Sequence, residues 1–516
     1  MILEERQNNK SRIGIIDAFG GIMRNVSGVL LALMIVAAWI LPSHSFAAAD
    51  VPVGVLRWDF WFKGNLNGPY LENNTFFHRI PFYSGPNPQT AKWEWRGDNQ
   101  EVMDQEIGYA RDAGISYFIF NYYNDYKIDG TLNPNSVGRK SLNSYLKSRR
   151  NKEVNFSLLI DTNGFGPWKQ WSQTRQTFID LISRPEYQKL SNGRPVVYLW
   201  IDTWLDSLLA NEPGKGLGAL NEIKAGVKAK IGVEPYFVYM GFDATKAVTV
   251  VSHFSLDAAT SYSNPLGNNS VEYGYSYCAA LNSWFRDNLK SKGLQVVPII
   301  NTGWDPRPVA GKDPYSARSS TPDFCTKPTP QQIADNLKSG IDWVKANPAS
   351  AAPRTVIAYA WNEFTEGGWL TPTLAEGNAR LKAIKNMLNP PTTPQSTGPI
   401  TGWIDYTRIS ADRFYLYGWI CSTGSRDPVE INLYTGGEYK KGGKMITAWH
   451  ANELSGPSVA TACKSTGVAY RYIIDLPVSW VATEAGKPIY VYGLIREKGI
   501  SSLSPGSGRL VVPAIP

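Results

Sequence analysis

Cysteine and histidine are scarce in this chain of 516 residues, with four of each. No Cys-x-x-Cys or His-Glu-x-x-His spacing occurs, which removes the usual protein-built zinc sites. Lysine and arginine are nowhere gathered into a block or a basic helical stripe, and the formal net charge of +8 is spread along the chain. A dispersed charge of that size argues against nucleic acid as a partner. The glycine-rich Gly214-Lys215-Gly216-Leu217-Gly218 lacks a Ser or Thr after the lysine, so it reads as a loop and not as a phosphate cradle. Nothing in the sequence asks for a cofactor.

One long apolar run is present, Val26 to Leu41, with Arg24 before it and Pro42 after it. Ala47-Ala48-Ala49 then offers an A-x-A cleavage site ahead of Asp50. Residues 1–49 therefore read as a signal peptide, with Met23 as a second possible start and an uncleaved anchor as the alternative. Export to the periplasm or beyond follows, with no membrane contact after cleavage. An oxidising compartment makes disulfides of the cysteines. Cys278 and Cys325 fall in one region and Cys421 and Cys463 in another. Those two pairings avoid a bridge across the linker between the regions.

That linker is residues 389–399, rich in Pro and Thr and free of charge, hence extended. It separates residues 50–388 from residues 400–516. The larger region alternates eight short apolar runs with helical patterns. The runs are Val51–Trp58, Ser116–Asn121, Phe156–Asp161, Val196–Asp202, Tyr236–Met240, Asp257–Ser261, Val296–Asn301 and Thr355–Trp361. Near-continuous apolar strands alternating with helices imply a parallel sheet covered on both faces. Eight such units predict an α/β fold, a (β/α)8 barrel; a doubly wound open sheet is the competitor. Asp98 and Thr329 are helix N-cap types.

In such a barrel the strand ends form the active face. Here they carry Trp58 and Asp59, Asn121 and Tyr123, Asp161 and Asn163, Asp202, Tyr262, Asn264, Asn301 and Trp304. A mouth of Asp, Asn, Tyr and Trp suits a hydroxyl-rich ligand, so these are the candidate substrate-binding residues. Each also has a plain structural role open to it: Asp caps a following helix and Tyr packs on a rim. The last strand runs into Trp361-Asn362-Glu363-Phe364-Thr365-Glu366-Gly367-Gly368-Trp369. Two carboxylates three residues apart, walled by rings, match the chemistry of glycosidic cleavage: one acid protonates a leaving oxygen and the other serves as base or nucleophile. Glu363 and Glu366 are thus the candidate catalytic residues, with Trp361, Asn362 and Trp369 about the substrate. Asp161 is a third carboxylate that could replace Glu363 in the pair.

Residues 400–516 read as all-β, a β-sandwich accessory domain. No acidic pair in an aromatic setting occurs there, so it is given no catalytic part. Trp419, Tyr434 or Trp449 could bind glycan, or the domain could simply pack on the barrel. The linker predicts that the barrel folds and works without it.

The motif order resembles the endo-α-mannosidase-type glycoside hydrolases (family ninety-nine) and related barrels, among them α-1,3-glucanase-type and lipopolysaccharide-associated relatives. The resemblance rests on Ala110-Arg111-Asp112-Ala113-Gly114-Ile115, Phe120-Asn121-Tyr122-Tyr123, Leu159-Ile160-Asp161-Thr162-Asn163, Arg194-Pro195-Val196-Val197-Tyr198 and, above all, Trp361 to Gly367. It implies a hydrolase of a poly- or oligosaccharide, retaining and endo-acting on α-linkages; with the signal segment, the expected protein is exported and monomeric. It makes Glu363 the base that draws the proton from the sugar 2-hydroxyl, and Glu366 the acid on the leaving oxygen. Phe364-Thr365 stands where the mannosidases carry Trp-His, so mannose specificity does not transfer. A glycan-binding protein on the same scaffold, cutting nothing, is the alternative.

Overall fold

The computed structural model describes residues 50–514, apart from segments 65–66, 73–74, 87–92, 127–128, 130, 132–138, 209–214, 264–265, 313–318, 390–397, 411–412, 427, 466–468 and 496–498. The expected signal peptide, most of the linker, Asn264 and Gly214 lie outside the described residues.

Eight strands form one parallel sheet: β1 (Val53–Arg57), β2 (Tyr117–Tyr122), β3 (Asn155–Asp161), β4 (Val196–Trp200), β5 (Tyr236–Gly241), β6 (Ala258–Ser261), β7 (Ile299–Asn301) and β8 (Val356–Tyr359). The order is β7-β8-β1-β2-β3-β4-β5-β6. A parallel bridge between Ala259 and Val296 joins the two edges, so the sheet is a closed barrel. Helices alternate with the strands: α1 (Gln100–Ala113), α2 (Lys140–Lys147), α3 (Trp171–Ile182), α4 (Lys215–Ile231), α5 (Ala244–His253), α6 (Tyr275–Ser291), α7 (Pro330–Ala346) and α8 (Ala379–Leu388). This is the (β/α)8 arrangement.

Side-chain alternation along the strands sorts the core into two layers. Leu56, Tyr117, Ile119, Leu159, Tyr198, Val238, Met240, Ile299, Ile357 and Tyr359 fill the barrel interior. Val55, Phe118, Phe120, Leu158, Val197, Phe237, Ile300 and Ala358 face the helices. Thr329 caps α7 in a full capping box with Gln332. Asp98 does not cap α1, whose N-cap is Asn99; Asp98 pairs instead with Lys140, at 2.8 Å.

Beyond the linker lie two antiparallel sheets built from β9 (Ile400–Ser410), β10 (Arg413–Ser422), β11 (Glu430–Thr435), β12 (Lys444–His450), β13 (Glu453–Leu454), β14 (Ala469–Pro477), β15 (Ile489–Ile495) and β16 (Ile500–Leu503). Their orders are β9-β10-β14-β13 and β12-β11-β15-β16. Both expected disulfides are present, Cys278–Cys325 and Cys421–Cys463. No helix among the described residues is long and apolar enough to cross a membrane.

Barrel and sandwich share apolar packing. One buried cluster takes Trp61, Phe82, Phe364, Trp369 and Leu374 from loops of the barrel together with Ile404, Leu416, Ile431, Tyr472 and Val491 of the sandwich. Asn452 donates to the Thr373 carbonyl at 2.7 Å, and Arg96 pairs with Glu453 at 3.2 Å. Residues 50–516 form a single compact unit.

Candidate active site

The acid motif leaves β8 as a small antiparallel hairpin, Asn362 opposite Trp369 and Glu363 opposite Gly368. It stands where β8 surfaces, on the C-terminal rim of the barrel. Glycine makes the turn possible. Gly367 has φ +83°, and a Cβ there would lie 2.7 Å from the Asp305 amide nitrogen. A Cβ on Gly303 would lie 2.1 Å from the Gly367 carbonyl. The hairpin therefore sits directly on the loop that follows β7.

Glu363 and Glu366 are both buried. Thr365 donates its hydroxyl to Glu363, at 3.2 Å. Tyr359, from the barrel interior, donates its phenol to Glu366 Oε2. Burial, with Glu366, Tyr262 and Glu363 nearby, pushes the Tyr359 phenol well above its ordinary value. Tyr359 thus stays a donor at any working pH, and orients Glu366.

The hairpin is locked from three sides. Asn362 accepts from the Trp58 amide at 2.7 Å and donates to the Trp58 carbonyl. Its side chain is committed to the end of β1, which makes it a positioning group in place of the substrate contact expected. Trp361 was expected to wall the cleft but lies in the layer between barrel and helices, fully buried. Its indole donates to Glu106 of α1 at 2.9 Å. Glu106 also accepts from Arg57 at 2.6 Å, and Arg57 donates to Asp59 at 2.8 Å. Burial lowers the Arg57 pKa, but Glu106 and Asp59 outweigh it and hold the guanidinium above its ordinary value. On the far side Arg79 donates to the carbonyls of Phe364 and Asp305 and pairs with Asp305. Burial pushes the Asp305 carboxyl up, while Arg307 and Arg79 together draw it below its ordinary value. Arg380 donates to the Trp369 carbonyl at 3.0 Å and lies over the Trp369 ring, 3.5 Å from its centroid. Trp369 is therefore no open sugar platform either, and Phe364 packs edge-on against Trp61 at 4.9 Å.

The apolar wall of the mouth comes from elsewhere. Tyr262 stacks on Trp200 at 4.7 Å and meets Trp58, Phe242 and Tyr359 edge-on. Trp304 tilts against Tyr359 at 5.9 Å. Asn301 ends β7 and Asn121 stands one residue before the end of β2, both in the buried interior; among the described residues, both amide atoms of Asn301 lack a hydrogen-bond partner. Tyr123 meets Phe60 edge-on at 4.9 Å. Burial raises its phenol well above the ordinary value; Asn121 offsets this in part, and nearby Asp59, Glu363 and Asp161 add to the rise. These groups are brought together.

Three predicted residues have plainer roles. Asp161 caps the turn 162–165 by accepting from Gly164 at 2.7 Å; burial raises its carboxyl, which that bond resists. Asn163 in the same turn is exposed. Asp202 accepts from the Trp204 amide at 3.0 Å and pairs with Lys246 at 3.3 Å. Sequence reasoning missed Tyr359, Trp200, Phe242, Arg57, Glu106 and Arg79. For Tyr359 a signal existed: two residues after inward-facing Ile357, strand alternation points it into the barrel.

No family model matches this sequence, and no curated protein matches it. Among solved structures, a glycoside hydrolase-like protein covers 66% of this chain and 95% of its own, at 16% identity and TM-score 0.46. The GH99 endo-alpha-mannosidase from Bacteroides thetaiotaomicron, in complex with BIS-TRIS-Propane, covers 66% and 97%, at 12% identity and TM-score 0.42. A glycoside hydrolase family 5 enzyme from Prevotella bryantii B14 covers 66% and 97%, at 12% identity and TM-score 0.34.

Proposed function

We propose that this protein is an exported glycoside hydrolase, a retaining, endo-acting α-glycosidase of a poly- or oligosaccharide. One observation carries the reading: two buried carboxylates share a braced hairpin on the C-terminal rim of a (β/α)8 barrel, and the Tyr359 phenol donates a hydrogen bond to one of them. The ring wall of Trp58, Trp200, Phe242 and Tyr262 and the Asn301 amide, without a partner among the described residues, supply what a sugar asks for. The rings meet its C–H faces and the amide meets its hydroxyls. The two disulfides suit an oxidising compartment.

In the reading carried over from the family resemblance, Glu366 protonates the glycosidic oxygen as the bond breaks. Glu363 takes the proton from the 2-hydroxyl, whose oxygen attacks the anomeric carbon to give an anhydro-sugar. Water then attacks that carbon and gives its proton to Glu366, while Glu363 returns its own to the 2-oxygen. Two inversions at one carbon retain configuration.

The test is Glu363→Gln against Glu366→Gln. Each should keep the fold and lower turnover by on the order of 10²–10⁴. With an activated aryl glycoside or glycosyl fluoride the leaving group needs no proton. Glu366→Gln should then regain much of its first-step rate, and Glu363→Gln should stay slow. Equal responses would refute the assigned roles, and full activity in both variants would move the chemistry to other rim carboxylates.

A further inference from the structure

In the sandwich, Tyr434 and Trp449 are buried and Trp419 packs against the helix Pro457–Ala462 beside the Cys421–Cys463 bridge. Other rings face solvent: Tyr439 at 50% exposure beyond β11 and, together on β9, Trp403 at 41% and Tyr406 at 45%. Residues three apart on a regular strand point to opposite faces. Here the register shifts between Ile404 and Tyr406, so that Trp403 pairs with Trp419 and Tyr406 with Tyr417. Asp405 is the extra residue of a bulge, and bulges of this kind re-aim side chains. Inward-facing Ile404 and Ile409, which an unbroken strand would put on opposite faces, both pack toward the sandwich interior. Trp403, Tyr406, Tyr415, Tyr417 and Trp419 consequently share the outer face of β9 and β10.

Tyr406 lies flat on Tyr417, centroids 4.5 Å apart and planes 22° from parallel. Its second face is turned outward, which explains its exposure and the burial of Tyr417. Arg509 sits against the Trp403 ring at 5.2 Å and donates to the Ile404 carbonyl at 2.9 Å. The ion pairs Asp405–Arg471 and Arg413–Asp475, both 2.6 Å, lie on the same face.

We infer that this face is a docking platform for the polysaccharide whose cleavage is proposed above, holding the chain away from the acids. The inference rests on that functional reading. Flat rings with open faces fit the C–H faces of pyranose units. Charges of both signs beside them supply donors and acceptors for hydroxyls, whereas a phosphate-rich polymer or anionic membrane would call for cations unmixed with carboxylates. Large exposed rings grouped on one face mark an interaction surface. A second attachment point raises the effective concentration of polymer at the barrel mouth and leaves small substrates unaffected.

The experiment uses residues 50–516 in affinity electrophoresis through gels holding α-glucans, α-mannans or acidic exopolysaccharides. Turnover of an activated aryl glycoside is measured in parallel. Wild type should be retarded by at least one polymer. The double variant Trp403→Ala/Tyr406→Ala should lose that retardation by about tenfold or more in apparent affinity, with aryl glycoside turnover unchanged. Tyr406→Ser alone should show an intermediate loss, and both variants should keep the wild-type melting temperature. Retardation that survives the double variant, or no retardation of wild type by any polymer, would overturn the platform while leaving the hydrolase reading intact. Retardation through these rings with no hydrolysis of any substrate would sink the hydrolase reading and leave the platform standing.

Discussion

Aromatic residues crowd both the acid hairpin of the barrel and the outer face of the sandwich, yet they do opposite things. Around Glu363 and Glu366 the rings nearest in sequence, Trp361, Phe364 and Trp369, are all buried. They anchor the hairpin to α1, to the sandwich and to Arg380. On β9 the rings Trp403 and Tyr406 are open to solvent and touch only local neighbours, Arg509 and Tyr417. Rings beside catalytic groups can be scaffold, because an acid that must hold a fixed position needs immobile neighbours. Rings available to ligand come from strand ends and from a bulged edge.

The strongest challenge to that comparison is removal of residues 400–516. Because Phe364 and Trp369 share a buried cluster with Ile404, Leu416 and Val491, the truncated barrel is expected to lose cooperative unfolding and activity together. The uncharged linker alone would predict independence. A truncated barrel that melts sharply and turns over a small substrate at full rate would separate the two regions after all. Calorimetry and a kinetic assay decide it.

Within the barrel, Glu106→Leu should destabilise by about 3–5 kcal/mol, the usual cost of leaving a buried charge without its partner. It would strip Arg57 of one carboxylate and the Trp361 indole of its acceptor. Urea denaturation measures this. The exposed pair Lys338–Asp342 serves as a control, since such pairs contribute at most about 1 kcal/mol.

Tyr359→Phe removes the donor to Glu366 while keeping the ring. As Glu366 yields its proton to the leaving oxygen it gains negative charge, and a hydrogen bond to a charged group contributes about 1.5–3 kcal/mol, so turnover should fall roughly 10–100-fold with little change in melting temperature. A loss confined to stability would make Tyr359 part of the core and nothing more.

The smallest expected effect is at the junction. Burial pushes the Glu453 carboxyl up to about 7, against the pull of Arg96. A folded pKa above the unfolded one means that an acid proton is held on folding. Stability is therefore full below the unfolded pKa and is lost as pH rises toward 7. Glu453→Gln should leave stability unchanged near pH 4.5 and raise it by roughly 1–2 kcal/mol above pH 7. A gain of equal size at both pH values would show that shape, and not ionisation, is responsible.

Much of this protein is legible without coordinates. All eight barrel strands, the cap at Thr329, both disulfides and the small all-β region follow from local patterns: apolar runs of strand length, cap chemistry, and cysteines divided two and two. Candidate site residues could be listed as a class, since polar groups at strand ends line the mouth of a barrel. Individual duties could not. Whether Asn362 binds sugar or clamps Trp58, and whether Trp361 faces the cleft or Glu106, depends on partners some 255 to 304 residues away. Local pattern determined what each segment becomes, because helices and strands are governed by near neighbours. Only the tertiary structure decided which ring is scaffold and which is open, because the bulge at Asp405 sets which rings of β9 share a face and the turn at Gly367 folds the acid hairpin onto the loop after β7.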